Sequence, residues 1–488
     1  MRVKKFLLSA LFIAAGNIIA KADYPIFWQR YTADPSALVY DGRYYLFCSH
    51  DTYDKEKGYG YFMNDVTCIS TTDMKNWTDH GEVFSYRQSA WGATETWAPQ
   101  VTEKNGKFYL YYGDADRRIG VAVADNPLGP YVDESDEPLV SHDTPGVDLF
   151  DKDGNRLTPD LETPGALQGS ENWGMWVFDP TAFIDPKTGK AYLYFGGAHP
   201  DNSRIIRLKD NMTETEGRAI HPNTPGFFEG SWAHEREGIY YYSYAGHGFG
   251  TPANIEYVMS DNPMWGFGNA GVMLPNPPDN DGMNNHHSVV EYKGNWYIAY
   301  HSRKVVHEQL RAAEEGVEWC RAIDGVDDHR AHEYMRSVAV DRLYYNDDGS
   351  IKTVEPTEDG LQQLEYVDGS ERQEAEMMAK GWGIATAEGG SGRVVCSRHE
   401  GDYTVVKGVD MGSSPARIEA CVAGDVKGSI TVRRNGLDGD IIAVIGTPKS
   451  ETFKTVRARL KGELSGVCDI YFIFNSPSVR MDYWQVAQ

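Results

Sequence analysis

Residues 31–51 read YTADPSALVYDGRYYLFCSHD. An acid beside a proline, Asp34-Pro35, stands eight residues ahead of Gly42, which opens an aromatic run. The layout returns in KNGKFYLYYG (104–113), KTGKAYLYFG (187–196), REGIYYYSYAG (236–246) and YKGNWYIAYH (292–301). Each is a glycine turn followed by an aromatic-rich strand, which reads as one hairpin. The glycines Gly42, Gly106, Gly189, Gly238 and Gly294 are 64, 83, 49 and 56 residues apart. A blade of four short strands takes about 40–50 residues plus loops, so the repeat predicts an all-β, five-bladed β-propeller over residues 23–355.

What precedes each glycine points to chemistry. Blade by blade these positions hold Asp34-Pro35, Trp97 and Pro99 in TWAPQV, Asp179-Pro180 in VFDPTAF, Glu229 in FFEGSWAH, and His286-His287 in NNHHSVV. In a propeller the first strand of each blade lines the central axis. The starts of the innermost strands therefore converge, and Asp34, Asp179, Glu229 and His286 are expected in register in one funnel. Asp-Pro is ordinary turn chemistry when alone; three acids and a histidine at matching places are not. Carboxylates crowded in one pocket are driven to different pKa values. Cleaving a glycosidic bond requires that: one carboxyl as base, one as acid. Trp28, Phe27, Trp97, Trp173, Trp176, Phe178 and Trp232 flank the strand starts, and aromatic rings stack on the C–H faces of sugars.

Composition agrees. The chain has 488 residues, 12% aromatic, with 30 tyrosines, 50 glycines and 23 prolines, as many short strands and turns demand. Its net charge of −24 repels phosphate backbones and excludes nucleic acid as an expected partner. Arg2, Lys4 and Lys5 precede an apolar run, and Ala20-Lys21-Ala22 fits a signal-peptidase site; residues 1–22 are expected to direct secretion or periplasmic export. No later stretch is apolar enough to span a membrane. The six cysteines lack zinc-site spacing, and Cys48 and Cys68 are either paired across neighbouring strands or buried thiols.

ADPSALVYDGRYYLF, WAPQV, FDPTAFID, FEGSWAHEREGIYYYSYAG and NNHHSVVEYKGNWYIAYH, in this order, resemble glycoside hydrolase family 43. The resemblance implies a propeller enzyme that hydrolyses glycosides with inversion. Asp34 resembles its general base, Glu229 its general acid, and Asp179 the acid that tunes and orients Glu229. Arg336 matches an arginine of the pocket floor, and His286 an axial histidine that in many members sits beside Ca2+. Trp97, Phe178 and Trp232 are expected to meet substrate. YTADPSALVYDGRYYLFCSHD and TDMKNWTDHGEVFSY look most like members acting on xylan side chains or ends. The expected activity is an exo-acting α-L-arabinofuranosidase on arabinoxylan. The alternatives are a β-1,4-xylosidase on xylo-oligosaccharides, a retaining fructan hydrolase, and a non-catalytic carbohydrate-binding propeller.

Residues 356–370 break the aromatic pattern and read as a linker. From residue 371 to 488, short runs such as ARIEACVA, GSITVRRNG, DIIAVIGT and CDIYFIFN predict a β-sandwich. Its ends, QEAEMM and SVRMDYWQV, resemble carbohydrate-binding module family 6. That likeness implies structural Ca2+ held by Glu374, Glu376 and Asp482, and a sugar-stacking Tyr403. Arg480 stands where many members have asparagine, which weakens the case for a working cleft.

Overall fold

The computed structural model describes residues 25–488, except 55, 57–59, 149–174, 199–201, 248–252, 281–283, 318–319, 321–330, 358–359 and 463. The expected signal peptide and Trp173 lie outside the described residues. Five antiparallel blades form in chain order, each from one run of chain. Their inner strands are Thr32–Tyr40, Trp97–Lys104, Thr181–Ile184, Phe227–Arg236 and His287–Tyr292. Blades one, three, four and five have four strands of their own. Blade two pairs three, and isolated bridges at Val132 and Val140 stand where a fourth was expected.

Tyrosines of the repeats fill the spaces between blades. Tyr44, Tyr111, Tyr194 and Tyr242 are all buried, and alternation along each strand sends neighbouring rings to opposite faces. The ring closes where blade five meets blade one: Thr32 N–H donates to the Arg336 carbonyl at 2.8 Å and Ala37 N–H to Ser288 Oγ at 3.0 Å. Tyr44, Leu46, Tyr292, Tyr297 and Val338 pack the seam. Cys48 and Cys68 are free and buried. Cys68 pairs opposite Phe47, one residue out of register, so the two thiols sit on opposite faces of the blade.

The C-terminal part is a β-sandwich of two six-stranded sheets over a core that includes Val406, Ile418, Phe472 and Trp484. Within residues 356–370, expected as a linker, Leu364 N–H donates to the Asp73 carbonyl of the propeller at 2.9 Å and Gln363 Nε2 to Asp73 Oδ2 at 3.0 Å, while Val367–Asp368 already pairs with Val409–Asp410 of the sandwich. Met377–Met378 then adds to the outer edge of blade one, opposite Trp77 and Thr78. Between the domains, Asp79 is buried and accepts from Arg30, Thr386 and Gly81 N–H, with Arg393 4.0 Å away. Asp79→Ala leaves two arginines without their shared anion and is expected to cost about 3–5 kcal/mol. Calorimetry should show a lowered Tm. Lys107→Ala, which breaks only the exposed pair with Asp125, should leave it unchanged.

Candidate active site

The inner strands are kinked at equivalent places. Asp34 (φ 50°), Ala98 (φ 42°) and Asp179 (φ 53°) each take the left-handed conformation before a proline. Gly230 (φ 70°) takes it in blade four. Strand register slips there in three blades: between Ala33 and Ser36, Trp97 and Gln100, and Glu229 and Trp232. Such bulges re-aim side chains, and aspartate tolerates the left-handed region better than most residues. The kinks bring Asp34, Ala98, Asp179, Ser231 and His286 around one axial cavity of about 20 Å³. Asp34 and Asp179 are in register as expected. Glu229 stands one residue ahead of that place, which Gly230 occupies. A Cβ on Gly230 would meet Asn285 O at 3.2 Å and the His286 ring at 3.4 Å, so glycine lets the histidine come close. Gly230 N–H also donates to Asp179 Oδ2 at 3.0 Å.

The charges are arranged asymmetrically. Arg336 Nη1 donates to Asp34 Oδ1 at 2.7 Å; its Nε and Nη2 clamp Asp51 at 2.8 and 2.7 Å. His286 Nε2 lies 3.0 Å from Asp179 Oδ2, and its Nδ1 3.7 Å from Asp34 Oδ1. Burial pushes the Asp34 carboxyl up, but Arg336 above all, then His286, hold it well below the usual carboxylate range. Burial pushes Glu229 up to about 8, with Asp179 and Asp34 adding to the rise against His286. Burial pulls His286 down, yet Asp179, Asp34 and Glu229 together raise it to about 9. At neutral pH the well therefore holds an ionised Asp34, a protonated Glu229 and a cationic His286. Glu229 Oε1 is buried with no partner in the protein, so it is free for a substrate atom.

This arrangement and the fold coincide with a family pattern. The model for glycosyl hydrolases family 43 matches residues 23–157 and 161–351. The chain belongs to glycoside hydrolase family 43. A carbohydrate-binding module (family 6) model matches residues 374–488. The chain is 34% identical to an arabinoxylan arabinofuranohydrolase of Paenibacillus polymyxa, over 94% of this chain and 74% of that one. A solved family 43 arabinoxylan arabinofuranohydrolase of Bacillus subtilis, in complex with cellotetraose, superposes with a TM-score of 0.79 at 32% identity, covering 96% and 99% of the two chains. An α-L-arabinofuranosidase from Clostridium thermocellum gives a TM-score of 0.53 at 45% identity, covering 70% and 99%.

In this family 43 glycoside hydrolase the aromatics divide. Trp97 is half-buried beside Tyr61, at 6.4 Å between rings; Tyr61 in turn meets Tyr334 at 4.9 Å and lies 4.8 Å beneath the Arg336 guanidinium. Phe178 is buried and supports half-buried Trp176, edge-on at 5.3 Å. Trp232 is buried in the core between blades four and five, and its indole N–H donates to the Val289 carbonyl at 3.0 Å. Trp232 also lines the axial cavity beside Asp34, Asp179 and His286, whereas Phe178 is not part of that lining. Phe27 packs the seam of blades five and one, and Trp28 faces the sandwich.

Sequence reasoning missed Asp51, Tyr61 and His301. Asp51 closes the second strand of blade one and fixes the Arg336 guanidinium in two-point contact. His301 Nδ1 lies 3.6 Å from Asp34 Oδ1, while Nε2 donates to the Asn284 carbonyl at 2.9 Å. Burial pulls His301 down to about 3, so it stays neutral. For Asp51 and His301 the one available signal was place: they are the last and next-to-last residues of second strands, at the axial end where the acids lie.

In the sandwich, Glu376 is buried, and burial, with Glu374, Asp79 and Asp482 adding, pushes its carboxyl up to about 8. Its Oε2 has no partner. Glu374 is held by Arg372 at 2.8 Å through both oxygens, and Asp482 accepts from Ser391 N–H at 3.1 Å. Among the described residues only Asp179, Glu229 and His286 bring three ligating atoms within 4.8 Å of one another. Tyr403 pairs opposite Trp382, so both rings share a face, and Trp382 packs on Trp28 of the propeller at 5.7 Å. The face that holds Tyr403 is turned towards the propeller rather than to open solvent.

Proposed function

We propose that this enzyme is an exo-acting, inverting α-L-arabinofuranosidase that removes side chains from arabinoxylan. The observation that carries the chemistry is geometric: Asp34, Asp179 and Glu229 are buried around His286, with Arg336 bonded to Asp34 at 2.7 Å and Glu229 Oε1 left without a protein partner. Substrate class rests on likeness to arabinofuranosidases, two of which match the chain through both domains.

In the proposed reaction, Asp34 accepts a proton from water as the water oxygen bonds to the anomeric carbon. The bond from that carbon to the leaving oxygen breaks, and Glu229 gives that oxygen its proton. Asp34 ends protonated and Glu229 ionised, and exchange with solvent restores both. Asp179 acts on Glu229 by charge, and through Gly230 N–H and His286 it fixes the strand that carries it. Arg336 keeps Asp34 anionic and is itself kept in place by Asp51. Inversion requires base and acid about 6.5–9.5 Å apart, leaving room for water.

Two measurements test this reading. Arabinose as the main product from arabinoxylan, with little xylose from linear xylo-oligosaccharides, is expected; the reverse would make it a xylosidase. Proton NMR of the first-formed anomer should show inversion.

Calcium has two expected positions. At the axis both nitrogens of His286 face carboxylates, Asp179 at 3.0 Å and Asp34 at 3.7 Å, within the described cluster of Asp179, Glu229 and His286 whose ligating atoms lie within 4.8 Å of one another. In the sandwich, the orphaned Glu376 oxygen, with Asp482 and Glu374 nearby, offers the hard oxygen donors that Ca2+ prefers. Calcium there would tie the two ends of the sandwich together. Chelation should lower Tm, by the equivalent of about 2.7 kcal/mol relative to a hundredfold excess over Kd. A Glu376→Gln variant should be insensitive. An unchanged wild-type Tm would dismiss the ion.

No helix among the described residues is long and apolar enough to cross a membrane. Export is supported by the Ala20-Lys21-Ala22 junction and by a polysaccharide substrate, which lies outside the cell.

A further inference from the structure

A cavity of about 440 Å³ lies between propeller and sandwich. Trp28, Tyr31, Tyr53 and Gln309 line it from the propeller, Arg398 and His399 from the sandwich. It opens on the same end of the propeller as the carboxylates: Tyr31 is three residues before Asp34, and Asp51, which clamps Arg336, forms part of its wall. Asp34 and Glu229 do not line it. It is therefore a separate chamber beside the catalytic well, within the 300–1,000 Å³ typical of small-ligand sites.

Most of its charges are already matched. Arg30 pairs with Asp79, and His50 Nδ1 lies 3.0 Å from Asp65. Asp51 is clamped by Arg336, and His399 Nδ1 is 3.3 Å from Asp402. An anion would find every one of these cations paired, in a chain of net charge −24. The unmet buried donors are the Trp28 indole N–H and the Arg30 Nε–H, each without a partner, while Arg398 Nε donates to the Gly383 carbonyl at 2.8 Å. A buried donor left unmet is costly, and a hydroxyl oxygen would satisfy it. Tyr53, half-buried, offers a ring with a polar tip, the kind of surface on which a sugar face stacks.

We propose that this interdomain cavity is a second binding site for a neutral oligosaccharide, which neither domain forms alone. Trp28 Nε1–H donates to a sugar hydroxyl, Tyr53 packs on a ring, and Arg398 and His399 contribute the sandwich wall. The proposal rests on the reading of the protein as a polysaccharide-directed enzyme, but its test does not need turnover.

Titration calorimetry of xylotetraose into the full-length Glu229→Gln protein is the experiment. Two binding events are expected. Adding Tyr53→Ala or Arg398→Ala should remove one of them. Trp28→Phe, which keeps an aromatic ring but deletes the N–H, should weaken it about fivefold or more. A single event up to millimolar ligand, or two events indifferent to all three changes, would overturn the proposal. So would displacement of the second xylotetraose by inorganic phosphate, which would make the site anionic. Failure of the arabinofuranosidase reading is detected separately, as absent hydrolysis of an aryl arabinofuranoside by the wild type.

Discussion

Asp34→Ala is expected to lower kcat by about 10²–10⁴-fold, the share of the rate that a positioned base supplies. The variant should stay folded, because Arg336 keeps its two-point contact with Asp51 after Asp34 is gone. Azide separates a lost base from a collapsed site. As an anion it needs no deprotonation, so it should restore turnover of an activated aryl glycoside and give a glycosyl azide of inverted configuration. A folded variant with near-normal kcat would remove Asp34 from its role. The pH dependence of stability has a defined sign. The folded carboxyl titrates below its unfolded value of 3.8, so its contribution is present above that pH and is lost in stronger acid. The variant should thus be less stable than wild type at pH 7, with the gap closing as pH falls well below 3.8.

Glu229→Gln should produce a loss that depends on the leaving group. Polysaccharide needs a proton on the departing oxygen, and kcat there should fall by about 10²–10⁴-fold. A nitrophenolate leaves without one, so the loss on such a substrate should be far smaller. Wild-type activity should decline as pH rises through about 8, where Glu229 gives up its proton, and the variant should lack that basic limb. Stability moves the other way. The folded carboxyl keeps its proton to about pH 8, whereas the unfolded one releases it near 4.5, so wild-type stability falls as pH rises across that window. Glutamine carries no such penalty. The variant should melt higher than wild type at pH 7, and the advantage should vanish below pH 4.5. Equal losses on both leaving groups would reassign Glu229.

The glycine-aromatic repeat and the acids before it were legible because each is a local pattern. Five glycine turns followed by tyrosine-rich runs leave few folds that can bury them, and Asp34-Pro35 and Asp179-Pro180 stand at similar distances ahead of their glycines. Glu229 was legible in place but not in register, since the kink of blade four falls on Gly230 and a bulge does not announce which residue it displaces.

By itself the amino-acid sequence determined the repeating unit, the number of blades, the sandwich that follows, and the three carboxyls the ring must gather. Those follow from hydrophobic periodicity and turn chemistry, which act over a few residues. Only the tertiary structure decided that Asp51 would hold Arg336 against Asp34, that His286 would lie cationic between two aspartates, and that the sandwich would dock through Met377–Met378 and Asp79 so as to wall a second cavity. Each of these joins residues some fifty to three hundred positions apart, and no short-range rule of chain conformation encodes which distant partner a buried charge or an open strand edge will meet.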